Sequence, residues 1–279
     1  MAGTAALAGR PLAGQRTALT AAEAIGRIQK NAGAPWQSET LDTFKAGDPA
    51  TAVRGIATTA MATMDVLARA ARANLNLIVT LEPVFFGRLD GPPTPAGDPV
   101  YAAKQEFLRK NGLVVWRFSD HWRARKPDPL TTGMAQALGW RPYQVGDDPL
   151  HYDLPATSLQ SLAGLLQTRL KARAGIRVIG DPATRVRRVS LLPGVSALAA
   201  TMRDLPESDV IVAGETREWE SVEYAADTVA AGRRKGMIML GRVLSEDPGM
   251  SVCAEWLKKL IPEAPVRWLP AGDPYWRPA

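Results

Sequence analysis

The sequence predicts an α/β protein of two similar lobes, each a mixed or parallel sheet flanked by helices, with a cleft between the lobes. Two observations carry this expectation. The first is self-similarity at a fixed offset. Val53-Arg54-Gly55-Ile56 opens a stretch that closes with Asn76-Leu77-Ile78-Val79-Thr80-Leu81-Glu82, and Val186-Arg187-Arg188-Val189 opens one that closes with Asp209-Val210-Ile211-Val212-Ala213-Gly214-Glu215. Val53 and Val186, like Glu82 and Glu215, stand 133 residues apart. The second is that each unit reads strand, turn, helix, strand and then a glutamate. Short apolar runs alternating with helical stretches continue along most of the chain.

Composition limits the alternatives. An apolar share of 46% suits a globular chain of 279 residues with one large or two modest cores. No apolar run approaches the roughly 18 residues that span a bilayer, so no membrane association is expected. The net charge is +6, spread over small clusters such as Arg123, Arg125 and Lys126 or Arg233, Arg234 and Lys235. That pattern suits a small anionic ligand better than specific nucleic-acid binding. The single cysteine, Cys253, lies in a helical pattern and reads as a buried small hydrophobe. Residues 1–18 are rich in Ala and Gly without a continuous apolar stretch and read as a disordered leader, which leaves a cytoplasmic location by default.

Each element has its own signal. Thr20-Ala21-Ala22-Glu23 is a capping box whose helix runs to about Asn31. A helix over 63–73 places Met64, Leu67 and Ala71 on one face, and a strand over 75–80 stops before Pro83. Residues 91–97 form an exposed Pro/Gly loop by composition. A helix near 101–111, a strand over 113–118 and a short helix over 134–138 ended by Gly139 complete the first lobe, 19–145. The second lobe, 146–279, carries helices near 158–174, 196–203, 221–231 and 250–260. Its strands are expected at 177–179, 186–192, 210–213 and 237–240, with a final one at 265–269.

Polar groups are expected at four strand ends: Glu82, Asp120-His121, Glu215 and Glu246. Converging carboxylates with a histidine are the raw material of a metal site. Taken singly, each carboxylate reads as a helix cap or a solvated group; four at equivalent ends of repeated units point instead to a shared cleft. His151 reads as structural, and Trp116, Trp122, Trp219 and Trp256 as packing residues. No G-x-S-x-G elbow, P-loop or Rossmann glycine motif is present.

Four segments resemble the Nif3-like family (Ngg1-interacting-factor-three-like proteins). Asn76–Phe86 is similar to its first metal-binding motif, a strand followed by His-His-Pro or, in one subgroup, His-Glu-Pro. Phe118-Ser119-Asp120-His121-Trp122-Arg123 resembles a His-Asp-His-Trp-His segment, Gly214–Glu220 the subgroup's second-lobe Gly-Glu segment, and Leu240–Glu246 the closing Gly-His-x-x-Ser-Glu motif. The resemblance implies a two-lobed α/β chain, a homo-oligomer of hexameric type and a dinuclear centre of zinc, manganese or iron between the lobes. It also carries Glu82, Asp120 or His121, and Glu246 over as metal ligands. Where the pattern has histidine, this chain has Leu81, Ser119, Arg123 and Arg242, and it holds only two histidines, His121 and His151. Leucine and arginine are not ligands for these metals, so two tightly held ions are not expected.

Removing the metals leaves Glu82, Asp120 and Glu246 uncompensated, while Arg123 and Arg242 place permanent positive charge at two vacated positions. Guanidinium–carboxylate pairs are therefore expected to fill the old metal cleft. Three functions follow. In the first, the protein binds a small anionic ligand through Arg123 and Arg242, or runs a metal-free reaction with Glu82, Glu215 or Glu246 as acid or base. In the second, one weak metal on Glu82, Asp120, His121 and Glu246 supports a phosphoester or cyclohydrolase-type hydrolase. In the third, the chain is a structural, ring-forming subunit.

Overall fold

Two five-stranded sheets are built on the same plan, and one long helix crosses between them. The computed structural model describes residues 18–92, 96–173, 175–276 and 278. The expected leader therefore lies outside the described residues except for Ala18, as do positions 93–95 of the Pro/Gly loop. In chain order the elements are α1 (Ala21–Lys30), β1 (Phe44–Ala46), β2 (Ile56–Thr59), α2 (Met64–Arg72), β3 (Leu77–Thr80), α3 (Pro99–Lys110), β4 (Val114–Arg117), α4 (Asp120–Ala124) and α5 (Pro129–Leu138). They continue with β5 (His151–Ser158), α6 (Leu159–Arg169), β6 (Arg177–Ile179), β7 (Arg185–Val195), α7 (Leu198–Asp204), β8 (Val210–Glu215), α8 (Glu223–Ala230), β9 (Gly236–Met239), α9 (Arg242–Leu260) and β10 (Val266–Trp268).

The first sheet runs β1-β4-β3-β2-β10 and the second β5-β7-β8-β9-β6. The internal repeat is visible in the register. Ile56 pairs with Leu77 in the parallel β2–β3 ladder, and Val189 pairs with Val210 in the parallel β7–β8 ladder, each residue displaced by the same 133 positions. The turn chemistry repeats as well. Asn76 Oδ1 accepts the Arg54 N–H at 2.7 Å, and Asp209 Oδ2 accepts the Arg187 N–H at 2.8 Å, so an Asx side chain braces the equivalent neighbouring chain in both lobes. On equivalent sides the central ladders carry antiparallel edge strands, β1 on β4 and β6 on β9; on the other side β10 joins β2 in parallel whereas β5 joins β7 antiparallel.

Local signals explain the helices. Thr20 caps α1 with both hydrogen bonds of the capping box, Thr63 caps α2 and Ser158 caps α6. Gly139 ends α5 in the left-handed conformation at φ +72°. The second half of α9 buries Met250, Cys253, Ala254 and Leu257 with Ile28, Leu81, Trp116 and Trp122 in the core of the first sheet. Cys253 is fully buried, as expected, and burial pushes its thiol pKa far up.

The structure differs from the sequence expectation in several places, among them the unforeseen short helix α4 and the start of α5 at Pro129 rather than 134. Strands β1 and β5 were not anticipated. The last strand, expected to close the second lobe, instead pairs in parallel with β2, Val266 opposite Ile56. Helix α9 starts eight residues earlier than its periodicity suggests, because Pro248 lies inside it. Proline normally breaks a helix interior, and here the surrounding packing overrides that preference. A Cβ on Gly133 of α5 would stand 2.5 Å from the Pro248 carbonyl oxygen, and one on Gly249 would stand 2.5 Å from Leu130 Cδ2. The two helices thus meet backbone to backbone.

This contact predicts opposite outcomes for two glycine substitutions. Gly133→Ala should lower unfolding free energy by about 1–3 kcal/mol through overpacking. Gly164→Ala, in α6 with nothing within 4 Å of the added carbon, should raise it by roughly 0.5–1 kcal/mol. Urea denaturation of the two variants checks both signs.

Candidate functional site: an inter-lobe arginine–carboxylate centre

Glu82 follows β3 at the carboxyl end of the first sheet, and Glu246 lies in the second turn of α9, which leaves the carboxyl end of the second sheet. Glu246 was expected at a strand end; it lies on the helix instead, because the chain turns at Gly241 (φ +87°) directly after β9. Both glutamates are buried, Glu82 at 3% exposure and Glu246 at 0%. Two buried carboxylates facing each other need counter-charge, and two arginines supply it. Arg123 Nη2 donates to Glu82 Oε1 and to Glu246 Oε1, each at 2.7 Å. Arg242 Nη2 lies 2.9 Å from both oxygens of Glu82, and Arg242 Nε stands 3.6 Å from Glu246 Oε1. Each arginine side chain is about a third exposed, 31% for Arg123 and 34% for Arg242.

Glu215, the repeat partner of Glu82, ends β8 at the rim. It is 54% exposed, and its Oε2 lies 3.8 Å from Arg242 Nη1. The repeat is thus symmetric in backbone but not in burial, and only the first-lobe glutamate enters the centre. Loop 84–90 shapes the approach to Glu82: buried Asp90 accepts the Val84 and Phe85 N–H groups and pairs with Arg117 at 3.3 Å.

Asp120 and His121 do not join this centre. Both lie on α4, whose start is wrapped by the 36–42 segment. Asp120 Oδ2 accepts the Thr40 hydroxyl at 2.8 Å and the Leu41 N–H at 2.7 Å. Burial raises the Asp120 pKa, but these hydrogen bonds and the charge of Arg117 outweigh it and hold the carboxyl below its ordinary value. Both nitrogens of the His121 ring are occupied. Nε2 accepts the Gln37 N–H at 2.9 Å, which leaves the proton on Nδ1, 2.8 Å from Asp42 Oδ2. The ring also stacks on Trp36 with centroids 3.7 Å apart. Leu81 packs in the first core and Ser119 is buried at the start of α4. His151 bonds Asp148 at 2.6 Å in the second lobe, away from the centre.

Residues not anticipated as part of the site shape it. Gly194, at φ +75° in an irregular stretch of β7, passes so close that a Cβ would fall 2.7 Å from Glu246 Oε1 and 3.2 Å from Arg123 Nη1. Its N–H donates to Ser245 Oγ at 2.9 Å, and that hydroxyl donates to the Arg242 carbonyl at 2.7 Å. Gly214 must also lack a side chain, since its Cβ would lie 2.3 Å from the Gly194 carbonyl oxygen and from Ser245 Oγ. A Pro-Gly pair in a strand was the available signal for Gly194.

No protein-family model and no curated protein matches this chain. Solved structures do. The chain is similar to the Staphylococcus aureus hypothetical protein SA1388, with TM-score 0.70 and 12% identity over 94% of this chain and 100% of that one. It is similar to a Bacillus cereus protein related to NIF3, with TM-score 0.68 and 12% identity over 93% and 99%. It is also similar to ybgI, a structural-genomics protein of unknown function, with TM-score 0.70 and 17% identity over 92% and 100%. The chain therefore has the Nif3-like fold: an α/β architecture of two mixed sheets flanked by helices.

The residues present do not fit the dinuclear metal centre that the resemblance implies. The two buried glutamates are engaged by guanidinium groups, and Asp120 and His121 are committed elsewhere. Among the described residues no three His, Cys, Asp or Glu side chains are arranged to hold an ion.

Burial pushes the Glu246 pKa up to about 7; the charge of Glu82 adds to this, while Arg123 and Arg242 oppose it. Its Oε2 is buried with no hydrogen-bond partner among the described residues. The folded state therefore binds a proton that the unfolded chain, with an ordinary carboxyl near 4.5, releases. The stability contributed by this proton is present below about pH 4.5 and is lost as pH rises to about 7. Glu246→Gln should flatten that part of the pH–stability profile, as read by thermal melts at half-unit intervals. Glu82→Gln strips both guanidiniums of their shared partner and should cost about 2–4 kcal/mol, near or below the buried-pair range because the arginines are partly solvated.

Proposed function

We propose that the protein belongs to the Nif3-like family as a metal-independent member, and that it binds a small anionic ligand at the arginine–carboxylate centre. The observation that carries this reading is that Arg123 bonds Glu82 and Glu246 with one nitrogen while a third of its side chain stays open. The inward donors neutralise the carboxylates, and the open edges of Arg123 and Arg242 remain for a phosphate or carboxylate group. Glu215 at the rim would be displaced from Arg242 by the incoming anion.

A second use of the same centre rests on Glu246. A carboxyl titrating near 7 inside a cleft is suited to give or take a proton at neutral pH, so a metal-free acid–base reaction on the bound anion is the enzymatic form of this proposal. A hydrolase using one weak metal has less support, because its four ligands are divided between two places. Assembly as a homo-oligomer would cover exposed apolar side chains such as Val195 and Trp219, at 56% and 75% exposure; light scattering tests that.

Three outcomes are expected. Elemental analysis should find less than one metal ion per chain, and EDTA should leave the melting temperature unchanged. Inorganic phosphate should raise the melting temperature of the wild type but not of Arg123→Ala or Arg242→Ala. Phosphate affinity should fall as pH rises through about 7, since ionisation of Glu246 removes the excess positive charge of the centre. Two stoichiometric metals lost to EDTA with a fall in melting temperature would overturn the reading. As a converse test, combining Arg123→His with Arg242→His should confer metal uptake that the wild type lacks.

A further inference from the structure

Glu246 and Asp247 are neighbours on α9 and face opposite ways. Glu246 enters the arginine centre, whereas Asp247 lines a separate cavity of about 550 Å³. The walls of this cavity come from both halves of the molecule: α5 and the end of α6 on one side, α9 and the chain after β10 on the other. Nothing in the arginine–carboxylate centre uses it, and its volume falls within the range of small-molecule sites.

The lining is chemically divided. Arg169 and Lys171 at the end of α6 supply two cations, and neither side chain makes an ion pair or hydrogen bond among the described residues. The opposite wall is rich in acceptors. Asp247 is buried, and its carboxylate accepts backbone N–H groups of Ala60, Ala271 and Gly272. Leu244 lines the cavity one turn before Pro248, and Pro248 has no N–H to give the Leu244 carbonyl its usual helical bond. Between these walls lie flat apolar surfaces, Pro248 and the partly exposed indole of Trp268. Ser251 adds a hydroxyl.

We infer that this cavity is a second ligand site, independent of the arginine centre, which takes a planar heteroaromatic ring carrying a phosphate, of nucleoside-monophosphate size. The ring stacks on Trp268, and its amino edge donates toward the Leu244–Asp247 wall. The phosphate reaches Arg169 and Lys171.

Calorimetric titration with AMP, GMP, CMP and UMP tests the assignment, with adenosine and inorganic phosphate as controls. At least one nucleotide should bind with Kd below about 1 mM, and should bind at least roughly tenfold more tightly than its nucleoside. Trp268→Ala should weaken it by roughly tenfold or more, as should the double variant Arg169→Glu, Lys171→Glu. Ser251→Trp, which fills the cavity from a half-buried position, should abolish it with the melting curve retained. Arg242→Ala separates the two sites: binding that persists in this variant belongs to the cavity, whereas binding lost with Arg242 belongs to the arginine centre and overturns the inference. Failure of all four nucleotides, or binding indifferent to the Trp268, Arg169/Lys171 and Ser251 variants, overturns it as well. Neither of these two results bears on phosphate at Arg123 and Arg242, which is read separately from the phosphate-induced melting shift.

Discussion

Two carboxylates withdrawn from water across a lobe boundary must be neutralised, and the surroundings of Glu82 and Glu246 follow from that need. Unpaired, each would carry a desolvation penalty of several kcal/mol. Arg123 meets both at once from α4, and Arg242 meets Glu82 from the first turn of α9. Guanidinium groups fit only where the backbone yields space, so β7 presents Gly194 to Glu246 and β8 presents Gly214 to Gly194. Ser245 then ties the Gly194 N–H back to α9. Ion pairs, glycines and hydroxyl form a single packed unit assembled from β3, α4, β7 and α9.

That unit makes α9 the mechanical link of the molecule. Its first turns carry Arg242 and Glu246 into the arginine centre, and its last turns lie in the first core, with Cys253 and Leu257 fully buried. The chain beyond it supplies β10 to the first sheet. Asp247 secures the return, accepting the N–H of Ala60 after β2 and those of Ala271 and Gly272 after β10. Burial lifts its pKa to about 6, and the three backbone hydrogen bonds restrain the rise. The first sheet is therefore complete only when the final residues of the chain are in place, although most of its strands lie within the first 117 residues.

The repeat was legible in the sequence because strand register is a local property. Apolar alternation and the Asx residue at 76 and 209 recur at one spacing, and the paired strands obey it residue for residue. The arginine–carboxylate contacts were also foreseeable, since buried acids need counter-charge and Arg123 and Arg242 are cations close in sequence to Asp120 and Glu246. Position along the chain did not reveal everything. Asp120 and His121 have suitable chemistry, but a loop 80 residues earlier in sequence takes up their hydrogen-bonding capacity, and only tertiary structure shows this. The early start of α9 was hidden by Pro248, whose local preference is outweighed by the close α5–α9 contact. The return of β10 to the first sheet depends on where the helix points rather than on any pattern within residues 265–269.

An arginine pair and a divalent metal ion would neutralise such a cleft by different chemistry. A divalent ion concentrates charge at a point and activates bound water as a Lewis acid. Two guanidiniums spread the same charge over ten N–H donors with fixed directions, and the closest contacts to Glu82 and Glu246 run through one terminal nitrogen of each arginine. Of the remaining donors of Arg242, Nε is buried without a hydrogen-bond partner among the described residues and Nη1 stands 3.8 Å from Glu215 Oε2 at the rim. Within this centre Glu246 is the carboxyl that burial lifts into the neutral range, to about 7. Proton uptake at Glu246 therefore alters the electrostatic balance that Glu82 shares with it through the two 2.7 Å contacts of Arg123 Nη2.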